Sequence, residues 1–252
     1  MASITKLLSA DLLKTRRTPF LLIHLLAPLT AAGLFLAYYS YSPWSSSSKI
    51  LAFLQVLACA LPTLIGLACA MAAEQEASAG RFQGMLALPG RKLAVYISKL
   101  LLLLLFGLGS LLLACLLFGA GFHQVLRQDG PGLLFYGNSA LILSGSSIFL
   151  YLLHSFLSLR YGKGLSIGTG IVGSLVAALL LTGLGDGIWP FVPFAWGARF
   201  SSLWSVYTSG VTLSSSVSGL DAGIAACAAG TLLAAVLSCF WFLRWEGGSA
   251  DN

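Results

Sequence analysis

The sequence predicts an all-α integral membrane protein with six transmembrane helices and both ends cytoplasmic. Three observations predict it. The 252 residues are 58% hydrophobic and only 9% charged, with a mean hydropathy of +0.90, whereas soluble domains carry about a quarter charged residues. Six apolar runs are long enough to cross about 30 Å of hydrocarbon: Phe20–Tyr39, Ile50–Ala73, Leu93–Gly121, Leu133–Leu157, Leu165–Leu184 and Ala222–Phe242. With the N-terminus inside, Lys6, Lys14, Arg16, Arg17, Arg81, Arg91, Lys92, Lys99, Arg160, Lys163 and Arg244 fall on the cytoplasmic side, and Lys49, Arg127 and Arg199 outside. Eleven of the fourteen basic residues on one side fix the orientation by the positive-inside rule.

Residues 1–18 place Ile4, Leu7, Leu8, Leu12 and Leu13 beside Lys6, Lys14, Arg16 and Arg17, the pattern of a short helix lying in the membrane interface. A signal peptide is the competing reading. It fails because the apolar run that follows is long and ends in Tyr38, Tyr39, Tyr41 and Trp44, an aromatic membrane boundary rather than a small-residue cleavage site. Thr18 and Pro19 suit the start of the first span, Thr18 as cap and Pro19 at the first helical position. Pro28 and Pro62 are expected to bend the first two spans. The third run is over-long, so Lys92, Tyr96 and Lys99 are expected to reach the inner headgroups along one stripe. Residues 19–245 thus form one six-span domain, and the polar tail 246–252 is expected to be disordered.

The outer segment Gly185–Asp221 carries Trp189, Phe191, Phe194, Trp196, Phe200, Trp204 and Tyr207, broken by Pro190 and Pro193. It is too aromatic for a solvated loop and too interrupted for a span. It reads as a re-entrant or interfacial hairpin whose backbone is buried in protein or at the headgroups. Two spans carry small residues four apart: Ser166, Gly170, Ser174, Ala178 and Thr182 on the fifth, and Ala222, Ala226, Gly230, Ala234 and Ser238 on the sixth. Such rows let helix backbones approach closely in lipid. Their partners are not legible at this level.

Motifs for chemistry are few. Tyr161-Gly162-Lys163-Gly164 lacks the upstream glycine and the following Ser/Thr of a phosphate-binding loop. His24, His123 and His154 have no ligand spacing, and Cys59, Cys69, Cys115, Cys227 and Cys239 sit in apolar runs as free, packed thiols. No metal or cofactor is expected on this chain. Except near their ends, the spans lack acidic and basic residues, which an ion-coupled pump keeps in its interior. In a membrane chain the net charge of +6 reflects inner loops rather than nucleic-acid binding. Work must therefore enter from another protein.

The longest polar interval, Glu74–Lys92, is the candidate point of contact. It reads as an amphipathic helix at the inner surface, stopped by Pro89-Gly90. Phe82, Met85 and Leu86 share one face, Glu74 and Arg81 a second, and Glu76, Gly80 and Gln83 a third. Phe82, Met85 and Leu86 are expected to enter an apolar groove on a partner, with Glu74, Glu76 and Arg81 setting the register.

The segment Glu74-Gln75-Glu76-Ala77-Ser78-Ala79-Gly80-Arg81-Phe82-Gln83, then Arg91, then Tyr96-Ile97-Ser98-Lys99, resembles the signature of permease subunits of lantibiotic-immunity transporters, which are ABC-2 type permeases. Members commonly have Asn after the Phe-Gln pair, where this chain has Gly84. The resemblance implies an ABC-2 permease architecture in a bacterial cell membrane. It implies a separate cytoplasmic ABC ATPase, in two copies, carrying ATP and Mg. A sister permease subunit and an amphipathic peptide cargo, expelled to protect the producing cell, complete the implied assembly. Two other readings stay open: an ABC-2 permease for a drug or lipid, and a membrane assembly or sensor protein without transport.

Overall fold

The computed structural model describes residues 4–15, 18–80, 82–86, 92–210 and 219–247. The regular elements among them are helices: α1 (Ile4–Thr15), α2 (Phe20–Tyr39), α3 (Ser46–Ser78), the single turn α4 (Gln83–Leu86), α5 (Lys92–Gln124), α6 (Leu133–Ser146), α7 (Ile148–Tyr161), α8 (Lys163–Leu179), α9 (Trp196–Thr208) and α10 (Leu220–Arg244). Three short 3-10 turns, Gly183–Gly185, Trp189–Phe191 and Pro193–Ala195, lead from α8 to α9.

Four helices, α2, α3, α5 and α10, are long and apolar enough to cross a membrane, and α6 with α7, bent by 43°, make a fifth candidate. The expected fifth span, Leu165–Leu184, is shorter than its apolar run. α8 has 17 residues, roughly 25 Å at the helical rise, because the chain turns off at Thr182. There the Thr182 hydroxyl accepts from the Leu184 amide at 3.3 Å. Arg199 takes the carbonyls of Leu180 at 2.6 Å and Thr182 at 2.8 Å and pairs with Asp186 at 2.9 Å. A cation at a helix C-terminus meets unsatisfied carbonyls and the negative end of the dipole. Arg199, expected only as an outer basic residue, is therefore the cap of α8.

α3 is the centre of the bundle, with α7, α8 and α9 packed around it, while α2 and α6 lie on α5. Its start is set by Ser45, whose hydroxyl accepts from the Ser48 amide, a standard N-cap. The apolar core between α3 and α5 includes Phe53 stacked on Phe118 with ring centres 3.9 Å apart, joined by Phe122, Tyr136 and Tyr39.

The small residues of α8 face α3. Ser166 donates to the Gly66 carbonyl at 3.1 Å, and the Ser174 and Thr63 hydroxyls lie 2.7 Å apart. A methyl group on Gly170 would sit 2.6 Å from the Pro62 carbonyl oxygen. The buried row is Ser166, Gly170, Gly173 and Ala177, and Ala178 of the expected row is exposed. Residues four apart drift by about 40° per step at about 100° per residue, so a face is held by alternating steps of four and three. On α10, half-buried Ala226, Gly230 and Ala234 flank the same kind of row. A methyl on Gly230 would stand 3.1 Å from the Trp196 ring, and one on Gly223 would overlap Trp189. This row therefore makes room for aromatic rings of the outer segment.

That segment packs on protein. α9 lies against α3 and α6, Trp189 and Trp196 are buried, and the Trp196 indole donates to the Pro190 carbonyl at 2.8 Å. Gln55 of α3 donates to Ser202 at 3.0 Å. Residues 211–218 of the expected hairpin lie outside the described residues.

Candidate functional site

The polar interval opens as a continuation of α3, not as a separate helix. Glu74 and Glu76 belong to the last turns of α3, which runs to Ser78. The break comes at Gly80, whose φ of 135° suits a residue without a side chain. Phe82 follows with φ 65°, a left-handed conformation that costs a non-glycine residue about 1–2 kcal/mol. Its ring holds it there: Phe82 is buried edge-on against Trp245, with ring centres 5.1 Å apart. The short turn α4 then brings Met85 into the same apolar cluster, which includes Tyr96 and Phe242.

Beside this cluster four charged side chains meet. Lys99 of α5 lies 2.7 Å from Glu76 and 3.1 Å from Asp11 of α1. Lys14, one turn along α1, reaches Glu76 at 3.1 Å. Ser98 donates to the other oxygen of Asp11 at 3.0 Å. Asp11, Glu76, Ser98 and Lys99 are all buried, whereas the Lys14 side chain stays 44% exposed and is the one edge open to water. Two carboxylates face two ammonium groups, so the formal charges cancel. Glu76 lies beyond the apolar run that ends at Ala73. Burial works against its ionisation, and Lys99 and Lys14 outweigh this and hold the carboxyl below the ordinary carboxylate range.

This geometry corrects three expectations. Lys99 and Tyr96 do not reach for headgroups. Lys99 is buried on Glu76 and Asp11, Tyr96 stacks on Phe242 with ring centres 4.5 Å apart, and Lys92 donates to the Trp245 carbonyl at 3.3 Å. A buried carboxylate pair is a nearer and less hydrated counterion than the bilayer surface. α1 is likewise not held by lipid alone: Asp11 ties it to α5 while Leu12 and Leu13 remain exposed on its far side. Third, Phe82 and Met85 do not form a free apolar face. The turn at Gly80 folds them inward, where Trp245 covers Phe82, and Leu86 is half-buried beside Gly247.

The described residues of the interval that face outward are Glu74, Ser78, Ala79, Gly80 and Gln83. Glu74 is bonded to Lys163, the first residue of α8, at 2.6 Å, and both side chains are more than half exposed. Arg81, expected on the face of Glu74, and the Pro89-Gly90 stop lie outside the described residues, as does Arg91. Sequence reasoning passed over Asp11 and Trp245 and read Lys14 only as an inner basic residue. Asp11 had a signal: it stands four residues from Leu7 and three from Leu8, inside the apolar stripe of α1, where a lone acid needs a partner.

Residues 7–161 match the family model described as ABC-2 family transporter protein. The match covers Asp11, Glu76, Ser98 and Lys99. No curated protein and no solved structure matches the chain.

Proposed function

Because the chain belongs to the ABC-2 family of transporter proteins, the membrane permeases of ABC transporters, we propose that it is the permease subunit of an exporter that expels a lantibiotic from a bacterial cell membrane and so protects the producing cell. ATP is hydrolysed on a separate cytoplasmic ABC ATPase, present in two copies, and a sister permease completes the assembly. The observation that carries the proposal is the charged knot joining α1, α3 and α5 directly behind the outward-facing Glu74 and Gln83. A push on that surface is passed to three helices at once, because buried paired charges resist separation. The cargo rests on the resemblance of the Glu74–Gln83 segment and of Tyr96–Lys99 to lantibiotic-immunity permeases.

The test co-expresses the chain with its ATPase and sister permease in a sensitive bacterium. The double variant Glu74→Arg, Gln83→Arg should insert normally, since both side chains are exposed. It should lose ATPase co-purification and resistance to lantibiotics, because a reversed charge at an interface costs several kcal/mol. Unchanged co-purification and resistance would remove this surface from coupling. Resistance to unrelated drugs but to no lantibiotic would identify a different cargo.

The proposal includes six spans, α8 being the short fifth, with both ends cytoplasmic. A membrane-impermeant maleimide should label Gly130→Cys on intact cells and Ser249→Cys only on inverted vesicles. The opposite pattern would reverse the orientation.

A further inference from the structure

A cavity of about 130 Å³ lies between α2, α3 and α5, close to the middle of the helices. Its origin is local. Pro28 has no N–H, so the His24 carbonyl one turn earlier has no donor within α2. Ser110 of α5 supplies one at 2.8 Å. α2 is thereby drawn onto α5 and touches α3 less closely. The side chains turned toward the gap are small, among them Ala27, Ala31, Ala60 and Ala114, and do not fill it. Val56, on the cavity wall, is 51% exposed, so the gap borders the outer, lipid-facing surface of the bundle.

Three polar side chains line the cavity, His24, Ser110 and Tyr151, and the first two are already bonded to the carbonyls of Phe20 and His24. Tyr151 reaches across from α7, and a methyl group on Gly107 would overlap its hydroxyl. Both residues line the cavity. Tyr151 is 5% exposed, and none of the described residues hydrogen-bonds its hydroxyl. Its hydroxyl faces the cavity rather than the packed interior. A water needs two to four polar partners, and these walls are almost wholly apolar. Apolar cavities of about 150 Å³ stay dry and accept a benzene-sized guest.

We propose that this cavity is a binding site for a small membrane-dissolved amphiphile. The guest is a ring-sized apolar group bearing one oxygen that pairs with the Tyr151 hydroxyl. The site is separate from the charged knot, and occupancy does not depend on what the protein exports. A ligand of this class enters sideways from the hydrocarbon, past Val56. Its ring replaces the missing packing between α2 and α3, and its oxygen pairs with the Tyr151 hydroxyl.

Photolabelling tests this on the full chain in lipid nanodiscs. The probe is a benzyl alcohol carrying a photoactivatable diazirine, and its sites are mapped by mass spectrometry. Label should concentrate on cavity-wall residues such as Val56, Leu57 and Leu111, and excess unlabelled benzyl alcohol should remove it. Tyr151→Phe should weaken cavity labelling by about fivefold, the loss of one neutral hydrogen bond. The matching toluene-derived diazirine, which has no hydroxyl, should be unaffected by that change. Ala60→Phe should abolish labelling by filling the cavity. Ala31→Leu does the same with a smaller side chain, should Ala60→Phe not fold. Non-competable label spread over lipid-facing residues such as Leu232 and Leu233, unchanged by either filling variant, would overturn the proposal. So would equal labelling by the two probes in wild type and Tyr151→Phe.

Discussion

Lys99→Met should be the most damaging single change in the molecule. It leaves the carboxylates of Asp11 and Glu76 buried and facing each other, with only half-exposed Lys14 for compensation. Removing one member of a buried ion pair costs about 3–5 kcal/mol, a large fraction of the stability of a typical domain. The expected result is a lowered thermal midpoint in detergent, with α1 released to proteolysis. Neutralising the acids as well, in Asp11→Asn, Glu76→Gln, Lys99→Met, should recover most of the loss, since replacing a whole buried network is far less costly than breaking one. If Lys99→Met unfolds at the wild-type temperature, the knot contributes nothing to holding the three helices.

The second large effect is expected at the α3–α8 seam. Gly170→Leu places a branched side chain where a single methyl would already lie 2.6 Å from the Pro62 carbonyl oxygen and 3.0 Å from the Thr63 α-carbon. Both contacts are backbone, so no rotamer relieves them. Overpacking costs about 1–3 kcal/mol even where side chains can shift, and here the helices must part. Parting also breaks the bonds of Ser166 to Gly66 and of Ser174 to Thr63. Val172→Leu, two positions on and 60% exposed, should be nearly silent. Thermal midpoints and the monodisperse fraction on size-exclusion chromatography measure both. Equal behaviour of the two variants would show that α8 does not depend on close approach.

These two sites differ in how far the sequence discloses them. The small row on α8 is visible because spacing along a helix is a local property, and its slip from Ala178 to Ala177 follows from helical drift alone. The long helices are visible for the same reason: apolar runs set them. The knot is not. Glu76 and Lys99 stand out as charges beside apolar runs, but their pairing requires knowing that α3 extends to Ser78 and that α5 starts at Lys92. Phe82, Met85 and Leu86 share one apolar cluster, but the residue that covers Phe82 is distant in the chain. Trp245 does so from 163 positions away (245 − 82), and no periodicity records a contact of that range. The early end of α8 is hidden similarly, since Leu179–Leu181 looks like continuing helix until Arg199 takes the carbonyls of Leu180 and Thr182.

The separation between Asp11 and Ser98, 87 residues, imposes an order on biosynthesis. Translation proceeds at about 5–20 residues per second, so α1 spends roughly 4–17 s out of the ribosome before its partner residues exist. During that interval α2 and α3 enter the bilayer, and Asp11 has only water, headgroups and its neighbour Lys14 to answer its charge. Docking of α1 is thus a late event that seals the first half of the bundle once α5 has arrived, although its residues are among the first to be made.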